Sequence, residues 1–422
     1  YILNVRYEIN DQWALTSISG YRDMDGVQRS QYDGTDAPGW PSTNFEIGTH
    51  WSQEFQLNWD TDRTNAVFGL YYFEDDVFST NTVPFEFQVN LPGDLFNEMG
   101  DAETKSYAAF GSVTWAATDK INITGGLRYN DEKRHTVSSF QIRIIPFGVD
   151  LFIPMDEERS WNAWTPRLSV DYAMSEDAMV YVTVAKGFKS GQILPGNTSG
   201  PIEPEFIWNY EVGLKSVLLG GRLKANFSAF YYEYTDLQVS QLAGFVFRIT
   251  NAAAADALGF EAEITYLLSQ NTLIELVYGY LDAEFTEFFT EDPIFPELGT
   301  QNLAGNPLPN GPRHMGKVSL RHGFPTSVGN FEFNVDWRYR ARAYFDPYKR
   351  ESASQGAYSI VGARATFKPS DQDWSISLWG NNLFDKDAIT HNYVSLASGG
   401  FPRNGATNSP RTYGLEFNYH TQ

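Results

Sequence analysis

The 422-residue sequence has no cysteine, six scattered histidines, and only 31 basic residues against 52 acidic ones, for a formal charge of −21. Without cysteine there is no disulfide framework, iron–sulfur cluster, thiolate zinc site or Cys nucleophile. The shortage of Lys and Arg argues against nucleic acid as a partner, because that affinity comes mainly from cations on phosphate. No apolar run approaches the ~18 to 20 residues of a membrane-spanning helix. Among the longest are residues 144–149 and 242–247, each stopped by a charge. The histidines, at 50, 135, 314, 322, 391 and 420, make no His-x-x-x-His or His-Glu-x-x-His pattern, so neither a metal site nor a cofactor is expected. Tyr1 has no Met or leader pattern before it. A signal peptide is absent or already removed, and the numbering is expected to begin inside a longer chain.

What the sequence has is aromatic residues, 16% of the total, set in alternation. Ile121, Ile123, Leu127 and Tyr129 share one parity, while Asn122, Thr124, Arg128 and Asn130 share the other. The same period of two runs through Leu223, Ala225, Phe227, Ala229 and Tyr231, and through Tyr413, Leu415, Phe417 and Tyr419. Period two marks strands with one apolar and one polar face. Many exceed ten residues, the length of tilted barrel strands crossing a bilayer (~9 to 11) rather than of soluble sandwich strands (about five or six).

Connections alternate too. Short turns are expected at 10–11, 61–63, 118–120, 175–177, 219–221, 269–271, 325–329 and 369–373, with long polar loops at 27–45, 79–103, 135–159, 188–205, 238–256, 289–312, 346–355 and 385–408. Strict short/long alternation fits hairpins threading one membrane, with tight turns on the periplasmic side. About 17 strands and one domain, residues 1–422, are expected: an all-β, antiparallel up-and-down transmembrane barrel wall. A soluble propeller would repeat at constant spacing, and these loops differ too much in length.

From Tyr181 onward the chain resembles the barrel of TonB-dependent outer-membrane receptors. The resemblance rests on seven pieces in order: residues 181–191 ending Gly-Phe-Lys-Ser-Gly, Tyr210 to Lys215, Gly221 to Asp236, Asn251 to Glu263, Gly305 to Arg313, Trp379-Gly-Asn-Asn-Leu-Phe-Asp385, and Pro410 to Tyr419. Thr412, Gly414, Phe417 and Tyr419 resemble the terminal assembly signal of outer-membrane barrels, although His420, Thr421 and Gln422 follow where the family usually ends. Family barrels have 22 strands around a plug. The resemblance therefore implies that a plug and about five strands precede Tyr1.

Several motifs suggest chemistry. Gly311 to Lys317 matches seven positions of a phosphate-binding loop, but Val318 takes the Ser/Thr position and a strand pattern follows where a helix is needed. The carboxylate pairs Asp23/Asp25, Asp33/Asp36, Asp282/Glu284 and Glu291/Asp292 are read as solvated loop edges, with outer-face divalent cation binding the alternative. In Trp337-Arg-Tyr-Arg-Ala-Arg342, Trp337 and Tyr339 share the apolar face. Asp336, Arg338, Arg340 and Arg342 are thus expected to point into the lumen as a stripe suited to an anionic ligand, or else to pair with acidic neighbours. Tyr344, Phe345 and Tyr348, and Tyr393, Phe401 and Arg403 in the last loop, are candidates to stack on a planar ligand.

The resemblance implies ligand-gated active uptake in the outer membrane of a Gram-negative bacterium, without covalent chemistry or enzyme activity. A small-molecule ligand, most commonly a ferric siderophore, binds outside, and TonB with its inner-membrane motor supplies the energy. Uptake of an oligosaccharide or cobalamin is the alternative, as is a passive porin or adhesin barrel. Outer-membrane lipid, lipopolysaccharide and the barrel-assembly machinery are the other expected partners.

Overall fold

The structure, a computed structural model, describes residues 1–31, 41–84, 95–144, 148–197, 200–243, 246–292, 294–370, 372–394 and 403–419. Its first strands are β1 (Ile2–Glu8), β2 (Trp13–Gln31), β3 (Pro41–Asp60), β4 (Thr64–Pro84), β5 (Leu95–Ala116) and β6 (Ile121–Ile144). They are followed by β7 (Val149–Ser175), β8 (Ala178–Lys189), β9 (Glu205–Leu218), β10 (Leu223–Ala243), β11 (Val246–Ser269) and β12 (Thr272–Glu291). The rest are β13 (Thr300–Asn302), β14 (His314–Thr326), β15 (Gly329–Arg340), β16 (Ala343–Tyr344), β17 (Ser354–Gln355), β18 (Tyr358–Pro369), β19 (Trp374–Asn381), β20 (Ile389–Val394), β21 (Arg403–Thr407) and β22 (Thr412–Tyr419).

Among the described residues, 17 of these form one antiparallel meander: β1 to β12, then β14, β15, β18, β19 and β22, each hydrogen-bonded to the next, with β13 added to the end of β12. All eight expected short turns join the strands predicted to flank them. The turn before β10 shows why these residues turn: Leu219, Gly220 and Gly221 all take positive φ (56°, 63° and 87°), two of the three being glycine. β1 and β22 are the sheet's two edges and do not pair with each other.

The long connections depart from expectation. β6 and β7 remain paired from Ile121↔Tyr172 out to Ile144↔Val149, straight through the segment 135–159 read as a loop. Likewise β2 and β3 pair out to Gln31↔Pro41, and β10 and β11 to Ala243↔Val246. Outside the bilayer both faces of a strand meet water, so the polar/apolar alternation fades while the backbone ladder continues.

Alternation does decide which face meets lipid. Leu15, Phe55, Phe68, Leu70, Leu127, Leu168, Val170 and Val212 are all exposed, and register carries them on one face from strand to strand, as in Leu15↔Leu57↔Phe68, Phe55↔Leu70 and Val170↔Val182↔Val212. Two bands of rings frame this apolar belt. Trp13, Trp59, Trp115 and Tyr172 lie near the short turns, and each is eight residues along its strand from Tyr21, Trp51, Tyr107 and Trp164 respectively. The rings touch within each band: Trp13–Trp59 centroids are 5.5 Å apart, Tyr72–Tyr107 4.9 Å and Tyr129–Trp164 4.7 Å. Eight strand residues span about 27 Å, or about 20 Å along the membrane normal at a tilt of ~40°. β4 to β7 continue well beyond the outer band, so their far halves stand outside the bilayer as the wall of a vestibule.

Candidate ligand-binding vestibule

β15 carries the basic stripe. Phe331, Phe333, Val335 and Trp337 are exposed on its lipid side, so Asp336, Arg338 and Arg340 face the lumen. Arg338 lies opposite Lys317 of β14, and Arg340 opposite Met315. Two cations directly across a ladder repel, and only part of that charge is answered: Arg338 Nε meets Asp336 Oδ2 at 3.0 Å, and Arg340 Nη2 donates to the Asn310 carbonyl at 3.3 Å. The Arg338 side chain remains 59% exposed. Arg342 does not continue the stripe. β15 ends at Arg340 and the chain turns into the small β16/β17 ladder with Ala343 buried; Arg342 pairs with Glu351, whose other oxygen accepts a 3.0 Å bond from the Tyr344 hydroxyl.

The loops after β12 and β15 are bolted together above this stripe. Arg350 is clamped between Asp292 and Asp346 (2.7 Å to the latter), with all three side chains nearly buried, and its guanidinium lies 4.2 Å over the Tyr348 ring. Tyr348 donates its hydroxyl to the Glu291 carbonyl at 2.8 Å, and burial pushes its pKa up. The ring packs against a cluster of Ala253, Ala255, Phe285, Phe288 and Leu303. Tyr348 thus has its hydroxyl and one ring face engaged within the protein, whereas Tyr344 is held at its hydroxyl alone. Sequence reading missed Arg350 as the hub because its partner Asp292 is 58 residues away. The Glu291/Asp292 pair was visible, but nothing local to it indicated a cation.

Tyr393 sits in β20 opposite Asn404 of β21, and Arg403 opposite Val394; Phe401 lies outside the described residues. Thr412, Gly414, Phe417 and Tyr419 are brought together on β22, the terminal edge, paired to Asn381, Trp379, Ile376 and Trp374. Gly414 is needed there, since a Cβ would come 2.6 Å from Trp379 Cζ2. Phe417 stacks on Trp374 at 5.9 Å. The phosphate-loop reading of Gly311 to Lys317 fails, because His314–Thr326 is a strand and offers no helix N-terminus to an anion. Of the carboxylate pairs, Asp282 bonds Arg313 at 2.7 Å and Asp292 joins the Arg350 clamp, while Asp33 and Asp36 lie outside the described residues.

The family description "TonB dependent receptor-like, beta-barrel" matches residues 1–383. The chain belongs to that family. Barrels of TonB-dependent receptors are outer-membrane proteins of Gram-negative bacteria, in keeping with the lipid-facing belt and its two aromatic bands. The chain is 25% identical to the pesticin receptor of Yersinia pestis over 403 residues, 92% of this chain and 54% of that protein. It is 26% identical to the metal-pseudopaline receptor of Pseudomonas aeruginosa over 266 residues, 60% of this chain and 34% of that one. The crystal structure of the ferric yersiniabactin uptake receptor from Yersinia pestis superposes with a TM-score of 0.81 at 21% identity, covering 98% of this chain and 59% of that one. The chain therefore spans about half the length of the relatives it matches.

Proposed function

We propose that residues 1–422 form one β-barrel domain of a TonB-dependent receptor that imports a ferric siderophore. External loops capture the chelate, and TonB with its inner-membrane motor drives passage. Outer-membrane lipid and lipopolysaccharide surround the wall, and the barrel-assembly machinery reads the β22 edge. Support comes first from the lumen-facing cations Lys317, Arg338 and Arg340, which gather under-compensated positive charge in an acidic protein. Anionic chelates suit such a wall because guanidinium forks bind carboxylate and phenolate oxygens at low hydration cost. The names of the matched relatives, a metal-pseudopaline receptor and a ferric yersiniabactin uptake receptor, point the same way.

The test is uptake of radiolabelled iron chelates by cells carrying the complete gene or lacking it, grown with and without iron. Iron-repressed synthesis and gene-dependent uptake are expected. In cells carrying Arg338→Gln with Arg340→Gln, uptake of an anionic chelate should fall about ten- to a hundredfold, as loss of one or two charge-assisted hydrogen bonds implies. Uptake that ignores both iron supply and the double substitution would sink the siderophore reading.

A further inference from the structure

The outward side of the wall carries a second apolar surface, separate from the lipid belt. On β3 the lipid-facing parity of Trp51 continues through Thr49 and Ile47 to Phe45. Ile47 and Phe45 lie four and six residues beyond Trp51 of the outer ring band, about 10 and 15 Å above it along the membrane normal at a tilt of ~40°. Register gathers neighbours of the same parity. Val27 of β2 opposes Phe45, Ile47 opposes Phe78 of β4, Thr80 opposes Met99 of β5, and Asp101 of β5 stands between Phe78 and Val137 of β6. Val27 is 57% exposed, Val137 47%, Ile47 42% and Met99 40%, and the Phe45 and Phe78 rings meet edge to face at 6.5 Å.

A charged belt on the same face divides this patch from the lipid: Asp23 and Asp25 of β2, Asp76 of β4, Glu103 and Lys105 of β5, and Lys133 of β6. Its lysines are already answered, Lys105 by Glu103 and by Glu74 at 3.5 Å, and Lys133 by Glu158 at 2.9 Å. Asp23, Asp25, Asp76 and Asp101 are exposed, and among the described residues none of them has a cation beside it. An apolar centre is thus rimmed by uncompensated negative charge.

We propose that this flank is a docking surface for a basic polypeptide outside the cell, which sets an apolar side chain among Phe45, Ile47, Phe78 and Val137 and Lys or Arg against the aspartates. Charge selects this occupant. A second copy docked through the same patch would bring aspartate against aspartate, and lipopolysaccharide phosphates would meet the same repulsion. Hydrocarbon ends below the charged belt, so lipid tails do not reach the patch. Apolar patches rimmed by polar residues mark protein contacts, and rings already packed against each other are the kind of anchor such contacts use. The patch faces away from the lumen, so docking leaves the mouth of the barrel open.

This inference does not rest on siderophore uptake, and its experiment is photo-crosslinking in the source cells with the complete gene. The photoreactive residue p-benzoylphenylalanine is placed at Ile47, and at Leu168 in the lipid belt as the control, and the cells are irradiated. A discrete protein adduct is expected at Ile47 and not at Leu168, with a partner of net positive charge at neutral pH. The purified partner should then bind the receptor in zwitterionic nanodiscs, and bind more weakly as salt rises from about 0.05 to 0.5 M. Phe45→Ser with Ile47→Ser should weaken it by about tenfold or more, and Asp76→Asn with Asp101→Asn by roughly fivefold. Native heat-modifiable migration on gels establishes that each variant is folded. The proposal is overturned by receptor–receptor adducts, by adducts with lipopolysaccharide alone, by an acidic partner, by no adduct at Ile47, or by unchanged affinity of the purified partner for a folded variant of either kind.

Discussion

Arg350 supplies the cation that joins two loops otherwise tied by Tyr348 to Glu291 and by Asn306 to the Pro347 carbonyl. Asp292 is only 5% exposed at its side chain, so removing the guanidinium leaves a buried carboxylate with no cation beside it, a change that typically costs about 3 to 5 kcal/mol. That cost falls on the loops, because the barrel ladder below does not depend on them. Arg350→Leu is therefore expected to open residues 294–312 and 345–357 to limited proteolysis while heat-modifiable migration of the barrel persists; resistance equal to the wild type would show that the clamp is redundant. Glu98 makes a pH-dependent case. Its folded pKa is raised by burial, with the Asn81 hydrogen bond opposing, so the folded state holds the proton more tightly than the unfolded chain. Stability from this group is present at low pH and is lost as pH rises through the raised value. Glu98→Gln should consequently raise the melting temperature relative to wild type at about pH 8 and leave it nearly unchanged at about pH 4. Equal shifts at both values would mean that Glu98 is not the titrating group.

At the scale of strands, β22 combines an open backbone edge with exposed rings, Tyr413 at 78% and Phe417 at 62%. Unpaired edges template further pairing, so the register of β22 on β19 decides which groups that edge presents. Gly414→Val would drive a branched side chain into Trp379 and shift that register. Its expected outcome is several-fold less folded protein in outer membranes, read as the heat-modifiable band, whereas Thr412→Ser should leave the amount unchanged. The strand pattern and every tight turn were legible in the sequence because burial against lipid enforces alternation residue by residue, as at Ile121, Ile123, Leu127 and Tyr129. Strand extensions at 135–159 were not, since water on both faces removes that constraint. Alternation puts Arg338 and Arg340 on one face of β15 but says nothing about where a ladder stops, and β15 ends before Arg342, which pairs with Glu351 instead. The Arg350 clamp was invisible for another reason: Asp292 and Arg350 are 58 residues apart and meet only where two outer loops touch.

The whole molecule is a wall rather than a ball. Its accessible surface is 24083 Å², whereas a compact soluble monomer of its mass, 47.7 kDa, would show about 16,000 Å². Among the described residues the largest fully buried side chains are few, led by Phe285 and Phe288 near the outer end of β12. Stability must then come from the hydrogen-bonded ladder and from lipid covering the belt, and the two faces should respond oppositely to charge. Leu168 is midway between Trp164 and Tyr172 on β7 and 54% exposed on the lipid side, while its neighbour Arg167 already carries a guanidinium on the lumen side. Leu168→Arg should destabilise the protein by about 2 to 4 kcal/mol in phospholipid vesicles, the cost of arginine at the bilayer midplane. Asn226→Arg, on the lumen face of β10, should cost well under half of that because water reaches it. Urea unfolding followed by tryptophan fluorescence measures both. Equal losses would show that the two faces meet the same solvent, which only a wall standing outside the membrane allows; the expected asymmetry is the signature of a sheet with lipid on one side and water on the other.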